Sequence, residues 1–189
     1  MYIRVKKVKK KSGKVYEYGH LVLSKWRKRA KIRGGSRNPV QKYKKFIGRV
    51  YRYEPSYFCE LEDFLGGDFE KFVERAKISE IYKKLIEYEL ISCGFKKHHD
   101  VFREGDVFVD LYKLMVYNSK GDVIIKTKER GGYLCNLNLE ELFKFEYLRG
   151  RSDGMELLKR IKMNGIKIEG DKFFILANKL LKEGMKFEK

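Results

Sequence analysis

Apolar and polar residues alternate through the first quarter of the chain, and then the period changes. In residues 2–10, Ile3 and Val5 fall on one face of an extended strand and Tyr2, Arg4 and Lys6 on the other. The run Lys9-Lys10-Lys11-Ser12-Gly13-Lys14 supplies turn chemistry, because Gly13 accepts the positive φ of a tight reversal. Residues 15–23 alternate again, with Tyr16, Tyr18, His20 and Val22 set against Val15, Leu21 and Leu23, so a β-hairpin is predicted. Lys25–Pro39 has no period, contains Gly34-Gly35-Ser36 and reads as a loop. Val40–Tyr53 resumes strand-like alternation and closes an expected three-stranded antiparallel sheet. A sheet this small holds a poor core of its own. It is expected to lean on the rest of the chain through Val50, Tyr51, Tyr53 and Phe58.

Beyond Glu54-Pro55 the period becomes helical. Apolar residues recur three and four apart in Leu61–Leu65, Phe69–Ala76 and Ile78–Ile91, the last with Ser79 and Glu80 as its expected start and Gly94 as its stop. Val101–Arg103, Val107–Tyr117 and Val123–Thr127, separated by Glu104-Gly105 and by Ser119–Asp122, predict a three-stranded meander. Helices followed by a hairpin would also suit a winged helix, against which stands the weak basic character of Tyr82–Tyr88. Three further helices are expected. Asn138–Tyr147 begins at an Asn cap. Asp153–Met163 carries Met155, Leu157, Leu158 and Ile161 on one side and ends at Asn164-Gly165. After a short extended link at Ile166–Ile168, Asp171–Lys182 is built on Phe173, Phe174, Leu176, Leu180 and Leu181. No internal repeat is present. The predicted class is α+β, with a basic β-module at residues 1–53 and a helix–meander–helix domain at residues 56–189.

Charge changes this picture more than any motif does. Residues 1–50 hold eighteen Lys and Arg against one acid, Glu17, so +17 of the formal +18 sits in the first quarter of the chain. Random solubilising charge would not partition in this way. The densest part is Trp26–Arg49 with Lys25 before it. It contains Arg27, Lys28, Arg29, Lys31, Arg33, Arg37, Lys42, Lys44, Lys45 and Arg49, with Trp26, Tyr43 and Phe46 interleaved. Self-repulsion among these charges opposes compaction unless an anion is near. Arg can fork two hydrogen bonds onto a phosphate. Trp26, Tyr43 and Tyr18 are candidates for stacking on unpaired bases, with packing against the hairpin the competing use of each ring.

MYIRV, VYEYGHLVLSKWRKR and QKYKKFIGRVYRYE, with its Lys-x-Ile-Gly-Arg-Val core, resemble the N-terminal β-hairpin segment of insertion-sequence transposases. They also resemble a group of uncharacterised archaeal proteins that begin the same way. The resemblance covers about the first 53 residues and implies a hairpin module that faces nucleic acid. The transposase catalytic domain, with its three spaced acids, has no counterpart in the remaining 136 residues, so transposition is not implied.

Catalytic and metal chemistry find little support. Cys59, Cys93 and Cys135 are far apart, with no Cys-x-x-Cys pair, so neither a zinc ribbon nor a disulfide scaffold is expected. His98-His99-Asp100 reads as an exposed turn, because neighbouring rings on a strand point to opposite faces. Asp106, Asp110, Asp122, Lys126 and Lys128 hint at a Mg²⁺-dependent nuclease, but Lys126-Thr127-Lys128 has a Lys where the second carboxylate belongs. The glycine pairs at Gly34-Gly35 and Gly131-Gly132 lack the phosphate-loop endings. No cofactor and no metal are expected.

Apolar runs are only a few residues long, so a membrane span is excluded, and no secretory signal follows the basic N-terminus. Cytoplasmic location is the expectation. One Gln, one Thr and abundant Lys and Glu fit a thermophile, and an AT-rich genome gives a similar bias. The expected function is non-catalytic binding of DNA or structured RNA by the phosphate backbone, through Lys25, Trp26, Arg27, Lys28, Arg29, Lys31, Arg33, Arg37, Lys42, Lys44, Lys45 and Arg49. A ribosome- or RNA-associated protein is the alternative, with a metal-dependent nuclease behind it. Residues 56–189 are expected to supply the fold and a surface for a homodimer or protein partner.

Overall fold

A computed structural model describes residues 2–25, 40–56, 59–126 and 132–187. Among these residues eight strands form a single mixed sheet, and the class is α+β as the periodicity predicts. β1 (Tyr2–Lys9), β2 (Val15–Lys25) and β3 (Val40–Arg52) make the expected antiparallel N-terminal sheet. Gly13 turns β1 into β2 at φ 80°. Three helices follow: α1 (Leu61–Leu65), α2 (Phe69–Arg75) and α3 (Ile78–Ser92). The meander is β4 (Lys96–His98), β5 (Val101–Glu104), β6 (Val107–Asp110), β7 (Met115–Asn118) and β8 (Gly121–Lys126). The chain ends in α4 (Asn136–Phe143), α5 (Arg151–Met163) and α6 (Gly170–Phe187).

The sheet order is β1-β2-β3-β8-β7-β6-β5-β4. All neighbours are antiparallel except β3 and β8, which run parallel with Arg49 beside Val123 and Tyr51 beside Ile125. The basic strands therefore continue directly into the meander. Tyr51 and Tyr53 strengthen the seam. The Tyr51 hydroxyl donates to Asp106 Oδ2 at 3.3 Å, and the Tyr53 hydroxyl donates to the Glu104 carbonyl at 3.3 Å.

Two apolar clusters hold the fold. The larger joins Val109, Val116, Val123 and Ile125 on one sheet face to the inner sides of the helices, including Leu85, Leu139, Ile161 and Leu180. Each such side chain, fully buried, contributes about 1.5–3 kcal/mol. The smaller lies on the opposite sheet face, where Val50, Ile124 and Cys135 are buried and Ile3, Val5 and Ile47 pack on them. This is the modest core expected of the N-terminal sheet. Val50, Tyr51 and Tyr53 do lean on the rest of the chain, and Phe58 lies outside the described residues.

The structure corrects several expected elements. Val107–Tyr117 is two strands, because the Asp110 carboxylate accepts hydrogen bonds from the backbone of Tyr112 and Lys113, both at 2.9 Å, and reverses the chain. With β4 added, the meander has five strands where three were expected. The third helix is capped at Lys77, whose amide donates to the Glu80 carboxylate at 2.9 Å, so Ser79 lies inside the first turn. Asn138 is not a cap: α4 starts two residues earlier, and the buried Asn138 amide donates to the carbonyls of Tyr133 and Met163. Met155 and Phe174, expected on buried helix faces, are 65% and 66% exposed. No helix of the described residues is long and apolar enough to cross a membrane.

Candidate nucleic-acid interface

Pairing register decides what the N-terminal sheet shows to solvent. In β1 and β2 the partners Arg4 and His20, Lys6 and Tyr18, and Val8 and Tyr16 share one face. Ile3 with Leu21, Val5 with Gly19, and Lys7 with Glu17 share the other, which carries the smaller core. The third strand has two bulges, one after Gly19/Gly48 and one after Leu21/Lys45, where Ile47 and Lys44 are the extra residues. An unbroken strand would put Tyr43, Phe46 and Arg49, each three apart, on alternating faces. The bulges cancel that alternation. Tyr43 pairs with Val22, Phe46 with His20 and Arg49 with Tyr18, so all three join the face of Tyr16, Tyr18 and His20.

Ring contacts confirm the arrangement. Tyr18 and Phe46 have centroids 6.0 Å apart, Phe46 and His20 5.6 Å, and His20 and Tyr43 5.2 Å, an unbroken aromatic run across β2 and β3. Beside it the Arg49 guanidinium lies 4.5 Å from the Tyr16 ring centroid and 4.7 Å from that of Tyr51. Lys10 Nζ is 4.8 Å from the Tyr16 ring. Arg4, on the same face, hydrogen-bonds Gln41. Tyr43 and Phe46 remain 56% and 49% exposed.

The charges that residues 1–50 place on this face are all positive. Glu17, the sole acid of the first fifty residues, lies on the opposite face. There Arg52 grips it with Nε at 2.8 Å and Nη2 at 2.9 Å. That double hydrogen bond, helped by the charges of Arg52, Lys7 and Lys126, holds the Glu17 carboxyl below its usual range against the opposing effect of burial. On the aromatic face, burial pushes the His20 imidazole below its ordinary value and the Lys6 charge adds to the effect. His20 Nδ1 is buried, and no described residue hydrogen-bonds it. A neutral imidazole fits that setting.

The sequence-predicted contacts divide. Trp26, Arg27, Lys28, Arg29, Lys31, Arg33 and Arg37 lie outside the described residues, and Lys25 closes β2. Lys42 pairs with Leu23 and Lys45 with Leu21, which places both on the face away from the rings, and Lys44 occupies a bulge. Arg49 alone among Lys42, Lys44, Lys45 and Arg49 stands beside the aromatic run. Sequence reasoning omitted Arg4, Lys6, Lys10, Tyr16, His20 and Phe46 from the site. For the β1–β2 members the signal was present in the alternation; for Phe46 it was hidden by the bulges.

The other constellations do not assemble. Asp106 sits in the β5–β6 turn with Tyr51 and Asn118, whereas Asp110 is at the far end of β6 holding the next turn. Asp122 is the second residue of β8, Lys126 ends it, and Lys128 lies outside the described residues. His98 closes β4, with exposed His99 and Asp100 forming the turn that follows. Among the described residues no three His, Cys, Asp or Glu side chains gather where they could hold a metal ion. No protein-family model, curated protein or solved structure matches this chain.

Proposed function

We propose that this chain is a non-catalytic nucleic-acid-binding protein that holds DNA or structured RNA by its phosphates through the basic N-terminal sheet. The observation that carries the reading is charge segregation: +17 of the +18 belongs to residues 1–50. Within the sheet, Arg4, Lys6 and Arg49 share one face, with Lys10 Nζ over the Tyr16 ring at its edge, while the sole acid of residues 1–50 is engaged by Arg52 on the other. Such a surface attracts polyanions and gains when condensed counterions are released. The seam to β8 fixes β3, and through it β1 and β2, on a well-packed body, which supports a basic surface held in place for the cations of those strands.

A cytoplasmic location is part of this proposal. The exposed apolar side chains of Met155, Phe174 and Met185 on α5 and α6 support a second role for residues 56–189, contact with another copy or a partner protein.

Salt dependence tests the reading. If about six to ten phosphates are contacted, affinity for DNA or RNA falls by roughly 10³–10⁵ between about 50 and 200 mM salt. A flat response contradicts phosphate-led binding.

A further inference from the structure

Resting on that reading, we infer that the N-terminal sheet binds a single strand, with unpaired bases stacked on the run Tyr18–Phe46–His20–Tyr43 and the strand's phosphates held by the cations beside it. The rings pave one face of β2 and β3 with centroids 5.2–6.0 Å apart. Cross-strand packing accounts for contacts between neighbouring rings. It does not account for leaving Tyr43 and Phe46 about half exposed on the face that also carries Arg4, Lys6 and Arg49, with Lys10 at its edge. A half-exposed Phe among lysines and arginines gains little from water. It gains substantially from a partner that is flat and apolar on its faces and anionic along its edge.

Unpaired nucleotides have that chemistry, and stacking is tolerant of base identity because every base offers a π-face. A duplex has it only at its ends, since its base faces are already stacked. A protein partner with an acidic surface would satisfy the cations but not the rings. Two bulges at Lys44 and Ile47 bring Tyr43, Phe46 and Arg49 to the same side, so the paved face depends on a local irregularity in β3 rather than on simple alternation. Arg49 has a second part in this surface. It is spread between the Tyr16 and Tyr51 rings, which orients the guanidinium plane and presents a cation at the edge of the aromatic run.

The test uses the full chain and fluorescence anisotropy with four labelled probes: a dodecamer of dT, a dodecamer of U, a DNA duplex of the same length, and a dodecamer with abasic sites in place of bases. Tyr43→Ala and Phe46→Ala are compared with wild type, and Phe46→Tyr serves as the conservative variant. Each alanine variant is expected to weaken single-strand binding by about tenfold and duplex binding by severalfold less, with Phe46→Tyr close to wild type on the single strand. The abasic strand, which keeps the phosphates and loses the rings, is expected to bind wild-type protein at least tenfold less tightly than dT. Comparison of dT with U distinguishes DNA from RNA as the source of the strand. Equal binding of the abasic and dT strands, or alanine variants that hold dT and U as wild type does, overturns the stacking inference while leaving salt-sensitive phosphate binding intact. Failure to bind any of the probes at low salt overturns both.

Discussion

Ile124 on β8 reaches across β3 to lie against the backbone of Gly19 on β2, a position that any side chain on residue 19 would occupy. Gly48, between them on β3, lies equally close to the backbone of Asp122. These two glycines allow the basic strands to merge with the meander. The obstacles differ in kind. A Cβ at position 19 meets the tip of a side chain that can rotate, whereas one at position 48 meets a backbone carbonyl that cannot.

Gly19→Ala is therefore expected to cost about 1–3 kcal/mol by overpacking, and Gly48→Ala more than that. Chemical denaturation of the two variants checks the order. A Gly48→Ala protein as stable as wild type would show that the β3–β8 seam is not closely packed.

The Glu17–Arg52 pair makes a pH-dependent contribution. Its carboxyl titrates below the ordinary value of 4.5, chiefly through the Arg52 hydrogen bonds. A lowered folded value means the stabilisation is fully present above about 4.5 and is lost as the pH falls through the lowered value. Glu17→Gln is expected to cost up to about 1 kcal/mol at neutral pH. Its stability curve should converge with that of wild type under acid. Parallel curves down to low pH would contradict the pairing.

His20 reports on the aromatic face. Burial, reinforced by Lys6, lowers its pKa from 6.5, so the free protein should show a His20 titration below that value by NMR. Phosphates brought near the ring favour the imidazolium, and a bound strand should move the titration upward. A free-state value at or above 6.5 would show that the ring is not enclosed as the structure has it.

Most elements of this fold were legible from periodicity, and the aromatic face of the N-terminal sheet was legible only in part. Alternation over residues 15–23 correctly grouped Tyr16, Tyr18 and His20, because β2 pairs with β1 without interruption. It failed on β3, where Lys44 and Ile47 are ordinary strand residues in type and carry no mark of a bulge. Lys42 and Lys45 consequently fall on the opposite face, and Phe46 joins the rings. The β6–β7 turn was hidden for another reason: Leu111 and Leu114 continue the apolar run, while Asp110 silently holds the reversal. The parallel seam of Arg49 with Val123 joins residues too far apart for local pattern to reveal.

The most direct measurement is photochemical crosslinking of a bound oligonucleotide to the full chain, followed by mass-spectrometric mapping of the adducts. Adducts should concentrate within residues 2–51, with Tyr18, Tyr43 and Phe46 among them. Adducts confined to residues 59–187, or no complex to crosslink at low salt, would contradict the assignment of the basic sheet as the nucleic-acid-binding surface.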